Sequence, residues 1–248
     1  MYHWRTRLGC IMPGQSVEAL HRDFWRMAPP GVSLVLASAG IREIDKNEVD
    51  AAIARLERSA EELRDHNVDL VHISGLPLVT FKGPDSEKSL IEKVKTWCGD
   101  KPVTTEFQSH MNALRALGAD KVVMVSPNKV EVTETFRRSA EAVGVKVLHV
   151  ECHDSLRRNI PLISEREIYH ACRQAFRAAP EAKAIWAPCG NYNILDLIDS
   201  LETDFGIPVV TNNQAWVWWA MVVLGLNTSS ITGFGQLLQS RVDSSHLP

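Results

Sequence analysis

The sequence has few cysteines, and their spacing excludes two common roles. The five cysteines, at positions 10, 98, 152, 172 and 189, are an odd number and form no CxxC pair. A disulfide framework or a structural zinc site is therefore not expected. No HExxH motif occurs either, so we expect no metal. Reduced thiols in the cytoplasm are the simplest interpretation.

The sequence also lacks a basic excess, a long apolar run and a nucleotide motif. Its 27 Lys and Arg are offset by 30 Asp and Glu, which gives no sign of a nucleic-acid surface. The longest strongly apolar stretch, Ala215–Leu226, is about half of the roughly 20 residues that a membrane-spanning helix needs. Met1–Gly14 has no apolar region with a cleavage site, so we expect no signal peptide. Without GxGxxG or GxxxxGK[ST], we expect no cofactor.

What the sequence does contain is an alternation of short β-branched runs with longer amphipathic segments. The runs predict strands at residues 8–12, 33–37, 70–74, 121–125, 146–150, 184–187 and 208–211. Between them, Asn47 and Asp85 are predicted helix caps, and Gly99 is a predicted helix end. Ser164 and Glu167 form a predicted capping box. This alternation predicts an α/β fold with parallel sheets.

The spacing of these segments repeats once along the chain. LGCIMP at residue 8 corresponds to VVMVSP at 122, and GVSLVLAS at 31 corresponds to GVKVLHVE at 144. DLVHISGLP at 69 corresponds to KAIWAPCGN at 183, and KPVTT at 101 to IPVVT at 207. We therefore predict two pseudo-symmetric, Rossmann-like halves with the active site in the cleft between them. The predicted halves are residues 1–100 with 210–248, and residues 101–209.

The repeat places Cys189 opposite a glycine. The residue that corresponds to Cys189 is Gly75, and both follow a predicted strand at its carboxyl end, where open parallel sheets bind ligands. Gly190 and Asn191 could offer backbone N–H groups to a developing negative charge from one side of the cleft, and Gly75 and Leu76 from the other. The alternatives are a small buried cysteine and plain turns.

Several segments resemble a known group of enzymes. The paired halves, the strand-end PCG, GIPVVTNNQA and TTEFQSHMNALRALGA resemble the aspartate/glutamate racemase superfamily. Within it they are most similar to the branch of maleate cis–trans isomerases and arylmalonate decarboxylases. Racemases and isomerases of the superfamily use two facing cysteines, whereas this chain has Gly75 and Cys189. The resemblance implies the single-thiol arrangement of the decarboxylases.

The chain departs from both members of that branch at the residues that bind substrate. The decarboxylases have two hydroxyl residues after the glycine and a tyrosine in the first loop of the second half. Here the aligned residues are Leu76, Pro77 and Asn128. The isomerases have an Asn–Thr pair in the first loop, where this chain has Gln15 and Ser16. The resemblance therefore implies a small carboxylate ligand with a changed binding pocket.

Three further features leave alternatives open. Asn213 either lines the cleft or caps a helix, and Arg157 and Arg158 are either surface residues or grip a second carboxylate. Four histidines, any of which could assist Cys189 as a base, fall beside the predicted strand ends at positions 72, 110, 149 and 153.

The segment NILDLIDSLETDF predicts a helix after Cys189, and the N-terminus of this helix would favour a thiolate and a bound carboxylate.

These observations predict a cofactor-free enzyme that forms and protonates a carboxylate-stabilised carbanion. The predicted reaction is decarboxylation of a small carboxylic or dicarboxylic acid, with Cys189 as the proton donor. The alternatives are isomerisation or racemisation with Cys189, and a non-catalytic binding module for small carboxylates. If the chain forms a homo-oligomer, the apolar stretch Trp216–Leu226 predicts a helix face as its interface.

Overall fold

Two parallel four-stranded sheets with flanking helices form the protein. The structure, a computed structural model, describes residues 5–14, 18–83, 85–229 and 231–240. The first sheet contains β1 (Thr6–Gly14), β2 (Val32–Ile41), β3 (Leu70–Ile73) and β4 (Val103–Thr105). The second contains β5 (Lys121–Ser126), β6 (Lys146–Cys152), β7 (Ala184–Ala187) and β8 (Val209–Thr211). The predicted α/β fold with parallel sheets is confirmed.

The two sheets have the same strand order, which confirms the repeat. The first runs β2-β1-β3-β4 and the second β6-β5-β7-β8, with every neighbouring pair parallel. β4 was not among the predicted strands, although the repeat matched KPVTT at 101 to IPVVT at 207, which contains β8. It belongs to the first sheet, so the predicted boundary at residue 101 falls two residues before a strand of that sheet. The division into halves stays a prediction.

Ten α-helices connect and cover the strands in the described part of the chain. They are α1 (Ala19–Met27), α2 (Lys46–Asp65), α3 (Pro77–Thr80), α4 (Asp85–Cys98), α5 (Glu106–Ala116), α6 (Val130–Ala142), α7 (Glu165–Ala178), α8 (Ile198–Phe205), α9 (Asn212–Val223) and α10 (Gly235–Gln239). Two 3₁₀ segments span Arg157–Leu162 and Leu195–Leu197. None of the helices in this part of the chain is long and apolar enough to cross a membrane.

The helix ends follow the predicted signals with two exceptions. The Ser164–Glu167 capping box is present, and Gly99 follows α4 with a left-handed φ of +73°. The cap of α2 is Asp45 rather than Asn47, because the Asp45 carboxylate already accepts the N–H of Asn47 at 2.9 Å. Asp85 is the first residue of α4 rather than a residue preceding it.

Helices α5 and α9 bring the two sheets together. Each directly follows the last strand of its sheet, and the two helices pack against each other. Trp219 Nε1 on α9 donates to Gln108 Oε1 on α5 at 3.2 Å. Trp216 and Trp218 are fully buried within the single chain. Residues 216–221 are therefore core, whereas residues 222–226 are half-buried or exposed, and the interface predicted on this helix face stays a prediction.

Candidate active site

A cavity of about 70 Å³ lies where the carboxyl ends of both sheets meet. The ends of β1, β3 and β7 contribute turns to its wall, as expected for a ligand site in parallel sheets. Its apolar lining includes Leu20, Ile41, Ile44, Phe136 and Ile160. Because residues from both halves line it, the cavity has the location that the repeat predicts for the cleft.

Cys189 lies on a tight turn two residues after β7. Its own N–H donates to the Ala187 carbonyl at 3.1 Å, and its carbonyl accepts the Tyr192 N–H at 3.3 Å. The N–H of Asn191 interacts with its sulfur. The next α-helix begins only at Ile198, so the predicted helix N-terminus at Cys189 was wrong, and turn amides take its place. Gly190 N–H donates to no acceptor in the part of the chain that the structure describes.

The Cys189 thiol is held in its protonated form. Burial raises its pKa to about 12, and the nearby carboxyl group of Glu106 acts in the same direction. The Asn191 N–H and the positive charge of Arg157 oppose this rise without reversing it. At neutral pH the group is therefore a proton donor rather than a nucleophilic thiolate.

On the opposite wall, the Gly75 turn holds a buried carboxyl group. Gly75 has a φ of +106°, and a Cβ there would lie 2.7 Å from the Cβ of Pro13, so only backbone fits. Its N–H and that of Leu76 donate to Glu106, and Ser74 Oγ donates to Glu106 Oε2 at 2.7 Å. These N–H groups, which we expected to bind substrate, are therefore engaged by the protein itself.

Glu106 is the residue that the sequence analysis missed. It is 3% exposed and lines the cavity, and burial raises its pKa to about 7 against the effect of the three donors. The Ser74 hydroxyl and the Gly75 N–H both donate to the same carboxyl oxygen, Oε2. The available signal was its place as the first residue after β4, at the carboxyl edge of the sheet.

The remaining predicted site residues divide between the cavity and other places. Asn128 lines the cavity, but both its N–H and its Nδ2 donate to Ser126 Oγ at 3.3 Å. Arg157 also lines the cavity and lies against Gly14, where a Cβ would overlap its guanidinium. Arg158 is exposed and forms an ion pair with Glu43 at 3.6 Å. Gln15 and Ser16 lie outside the described residues.

Asn213 supports the Cys189 turn from behind instead of lining the cavity. Its Nδ2 donates to the Gly190 carbonyl at 3.0 Å and to Asp23 Oδ2 at 2.7 Å. Arg22 in turn donates to Asp23 Oδ1 through Nε and Nη2, at 2.9 and 2.7 Å. The buried Asp23 carboxylate is thereby neutralised, and the turn that carries the thiol is tied to α1.

The same support continues into the core through His110. Trp186 Nε1 donates to His110 Nδ1 at 2.9 Å, so Nδ1 accepts and the proton is on Nε2, which faces Asn212 Oδ1 at 3.3 Å. Asn212 Nδ2 completes the series by donating to Asn213 Oδ1 at 3.3 Å. Burial lowers the pKa of His110 to about 4, so the ring is neutral.

The proposal that a histidine assists Cys189 finds no support in this geometry. None of His72, His110, His149 and His153 lines the cavity. His72 is buried against Trp216, and its Nδ1 lies 3.0 Å from Thr104 Oγ1. Among the described residues, His, Cys, Asp and Glu side chains form no group of three that could hold a metal.

The site therefore has the features of a two-half α/β enzyme that uses one cysteine. A sequence profile described as "Arylmalonate decarboxylase" matches residues 19–238, and the chain belongs to that family. Arylmalonate decarboxylase of Bordetella bronchiseptica is 25% identical over 213 residues, which cover 84% of this chain and 87% of the relative.

Solved structures agree in fold. A double mutant of arylmalonate decarboxylase in its liganded form superposes with a TM-score of 0.87 at 22% identity, over 94% of this chain and 98% of that one. Maleate cis–trans isomerase of Nocardia farcinica, solved as a mutant with a covalently bound succinylcysteine intermediate, gives a TM-score of 0.84 at 22% identity, over 94% and 98%. Both the predicted superfamily and the enzymatic character are confirmed.

The buried carboxyl group predicts a pH-dependent stability difference. Between about pH 4.5 and 7, folded Glu106 keeps a proton that the unfolded chain has lost, so rising pH destabilises the wild type through this group. Glu106→Gln removes the effect. The unfolding free energy of Glu106→Gln minus that of the wild type should therefore rise by about 1–3 kcal/mol from pH 5 to pH 8, as measured by urea titrations. The exposed control Glu62→Gln should show no such gain. Parallel pH curves for wild type and Glu106→Gln would contradict the assignment.

The support of the Cys189 turn can be tested at Asn213. Asn213→Ala leaves the Gly190 carbonyl and Asp23 Oδ2 without these donors, so the unfolding free energy should fall by about 2–4 kcal/mol in urea. Asn47→Ala, an exposed control on α2, should stay within about 0.5 kcal/mol of the wild type. Equal effects of the two changes would show that Asn213 does not support the turn.

Proposed function

We propose that this enzyme decarboxylates a small substituted dicarboxylic acid and that Cys189 protonates the resulting carbanion. The observation that carries the proposal is one protonated thiol on one wall, opposite a glycine turn that admits no side chain. Loss of carbon dioxide leaves a carbanion that needs one proton on one face. A thiol with a pKa of about 12 still holds that proton at neutral pH.

The remaining carboxylate of the substrate is bound beside Cys189. The Gly190 N–H, which has no acceptor among the described residues, and the Arg157 guanidinium are the groups suited to it. Both stabilise the negative charge that spreads onto this carboxylate when it becomes an enediolate. The departing carboxylate would lie against the apolar wall, where it loses hydration that carbon dioxide does not need.

The lining of the cavity is largely apolar, which suits a malonate with an apolar substituent. Carbon dioxide release should therefore be measured on a series of malonates with alkyl and single-ring aryl substituents. The proposed partner of the chain is thus a small carboxylate, and the proposed location is the cytoplasm. Absence of carbon dioxide release from every member would reject decarboxylation of malonates.

Isomerisation of a cis-unsaturated diacid is the second candidate. It is supported by the related maleate isomerase, in which a cysteine carries a covalently bound succinyl group. Addition of sulfur to a double bond requires the thiolate, whereas the high pKa of Cys189 favours the thiol. Loss of maleate absorbance, measured beside carbon dioxide release, separates the two reactions. The non-catalytic alternative is wrong, because the family consists of enzymes.

Replacement of the thiol tests the proton donor. Cys189→Ser should keep the fold, because oxygen for sulfur is a small change on a turn. Its hydroxyl is a far weaker acid, so kcat for carbon dioxide release should fall roughly 10²–10⁴-fold. Cys98→Ser, a control at the end of α4 and away from the cavity, should retain wild-type turnover. Near-normal turnover of a folded Cys189→Ser enzyme would reject the proposal.

Gly14 allows a test of Arg157 that leaves the arginine in place. A Cβ at Gly14 overlaps the flexible guanidinium, so Gly14→Ala should displace it. Gly14→Ala and Arg157→Gln should each raise KM roughly 10-fold or more, through loss of a charge-assisted hydrogen bond. The double variant should raise KM no further than Arg157→Gln alone. Arg158→Gln is the exposed control, and additive effects of the first two changes would contradict a shared role.

A further inference from the structure

Decarboxylation with one proton donor leaves the carboxyl group of Glu106 without a task. This group is fully desolvated, yet it lines the same cavity as Cys189. It is bound by the Gly75 turn, which is the pseudo-symmetric equivalent of the Cys189 turn. The Glu106 carboxyl group therefore lies beside Gly75, the residue that corresponds to Cys189, on the opposite wall of the cavity.

We propose that Glu106 is a second proton-transfer group, facing Cys189, through which this enzyme exchanges and inverts the α-hydrogen of chiral carboxylic acids. The inference uses the carboxylate and carbanion site of the proposed function, and it adds an activity to it. The proposed substrate is an α-aryl or α-alkyl propionate, which has the chemical form of a decarboxylation product.

The proposed step balances protons and electrons without a cofactor. The Glu106 carboxylate takes the α-hydrogen as a proton, and the electron pair of the broken C–H bond enters the enediolate of the substrate carboxylate. Cys189 then donates its thiol proton to the opposite face, and the same electron pair forms the new C–H bond. The enzyme is left with a carboxylic acid and a thiolate, which exchange protons with water to restore the starting state.

The geometry of Glu106 suits this role. Ser74 Oγ and the Gly75 N–H both bind Oε2, which fixes the carboxyl group in the wall of the cavity that Cys189 also lines. A side chain at position 75 would be strained, since Gly75 has a φ of +106° and a Cβ there would lie 2.7 Å from the Cβ of Pro13, whereas Glu106 reaches the same wall from α5. A general base also needs a pKa near the working pH, and burial brings that of Glu106 to about 7.

The two enantiomers of the substrate should behave differently. Decarboxylation delivers hydrogen from the Cys189 wall, so its product carries the α-hydrogen on that side. The opposite enantiomer presents its α-hydrogen to Glu106, which is the better base of the two because the thiol keeps its proton. The enantiomer that decarboxylation does not produce should therefore exchange faster.

The experiment incubates each enantiomer of 2-phenylpropionate with the enzyme in D₂O. Proton NMR follows loss of the α-hydrogen, and chiral chromatography follows inversion. We expect kcat/KM for exchange, which reports the free enzyme, to rise with pH around a midpoint near 7 and to favour one enantiomer at least several-fold. Glu106→Gln should lower the ratio of exchange to carbon dioxide release roughly 100-fold or more.

The matched control is Glu87→Gln. Burial also raises the pKa of Glu87, but this residue accepts hydrogen bonds from Thr105 and Gln108 and does not line the cavity. It should keep the wild-type ratio of exchange to carbon dioxide release. If Glu106→Gln does not fold, the pH profile and enantiomer preference of the wild type decide the question.

The outcomes separate this inference from the proposed function. The role of Glu106 is overturned by any of three results: no exchange from pH 5 to 9, an exchange rate that does not change with pH, or exchange that persists in folded Glu106→Gln. Each result counts whether or not malonates are decarboxylated. Exchange with the expected pH profile but no carbon dioxide release from any malonate supports Glu106 and rejects decarboxylation.

Discussion

The packing of α5 against α9 is the constraint on which the cavity depends. Each helix begins directly after the last strand of its sheet, so their contact brings the carboxyl edges of both sheets together. The third strand in each order, β3 or β7, then ends in a turn on the cavity wall. The two halves therefore meet with the same backbone and differ in which side chains they present.

Because of those side chains, the Gly75 turn has its N–H groups engaged, whereas the Cys189 turn has a carbonyl engaged. After the last strand of the first sheet comes Glu106, an acceptor that engages the N–H groups of the Gly75 turn. After the last strand of the second sheet comes α9, whose Asn213 is a donor that engages the Gly190 carbonyl. In the Cys189 turn, whose Gly190 carbonyl is bound from behind, the Gly190 N–H has no acceptor among the described residues. This amide can therefore bind an anion, whereas the Gly75 and Leu76 amides are engaged by Glu106.

The fold was predictable because its signals are local and repeated. β-branched runs mark most strands, and the shift of 114 residues between Gly75 and Cys189 is the same as that between β3 and β7. β4 was missed, although β8, which is equally short and also follows a proline, was predicted. At Asp45 and Asn47, two adjacent capping candidates competed, and the backbone conformation of Asp45 decided between them.

The site was predictable only in part, because its decisive contacts join distant segments. Cys189 could be found from its place after a strand. Glu106 looks like an ordinary acidic residue in the first turn of a helix, where it favours the helix dipole. Only the tertiary structure turns its carboxyl group onto a loop about 30 residues earlier in the chain. Asn213 likewise serves the Gly190 turn through a bond that no spacing rule describes.

The cavity charges act on one another, and this coupling sets the resting state. When Glu106 is ionised, its charge raises the pKa of Cys189, whereas Arg157 lowers it. Burial is the largest influence on both acids and disfavours charge on either one, so the thiol and the carboxyl together resist holding two negative charges. A bound substrate carboxylate adds a negative charge beside them, which strengthens the hold of both groups on their protons. Binding therefore favours a protonated Cys189, which is the state that carbanion protonation requires.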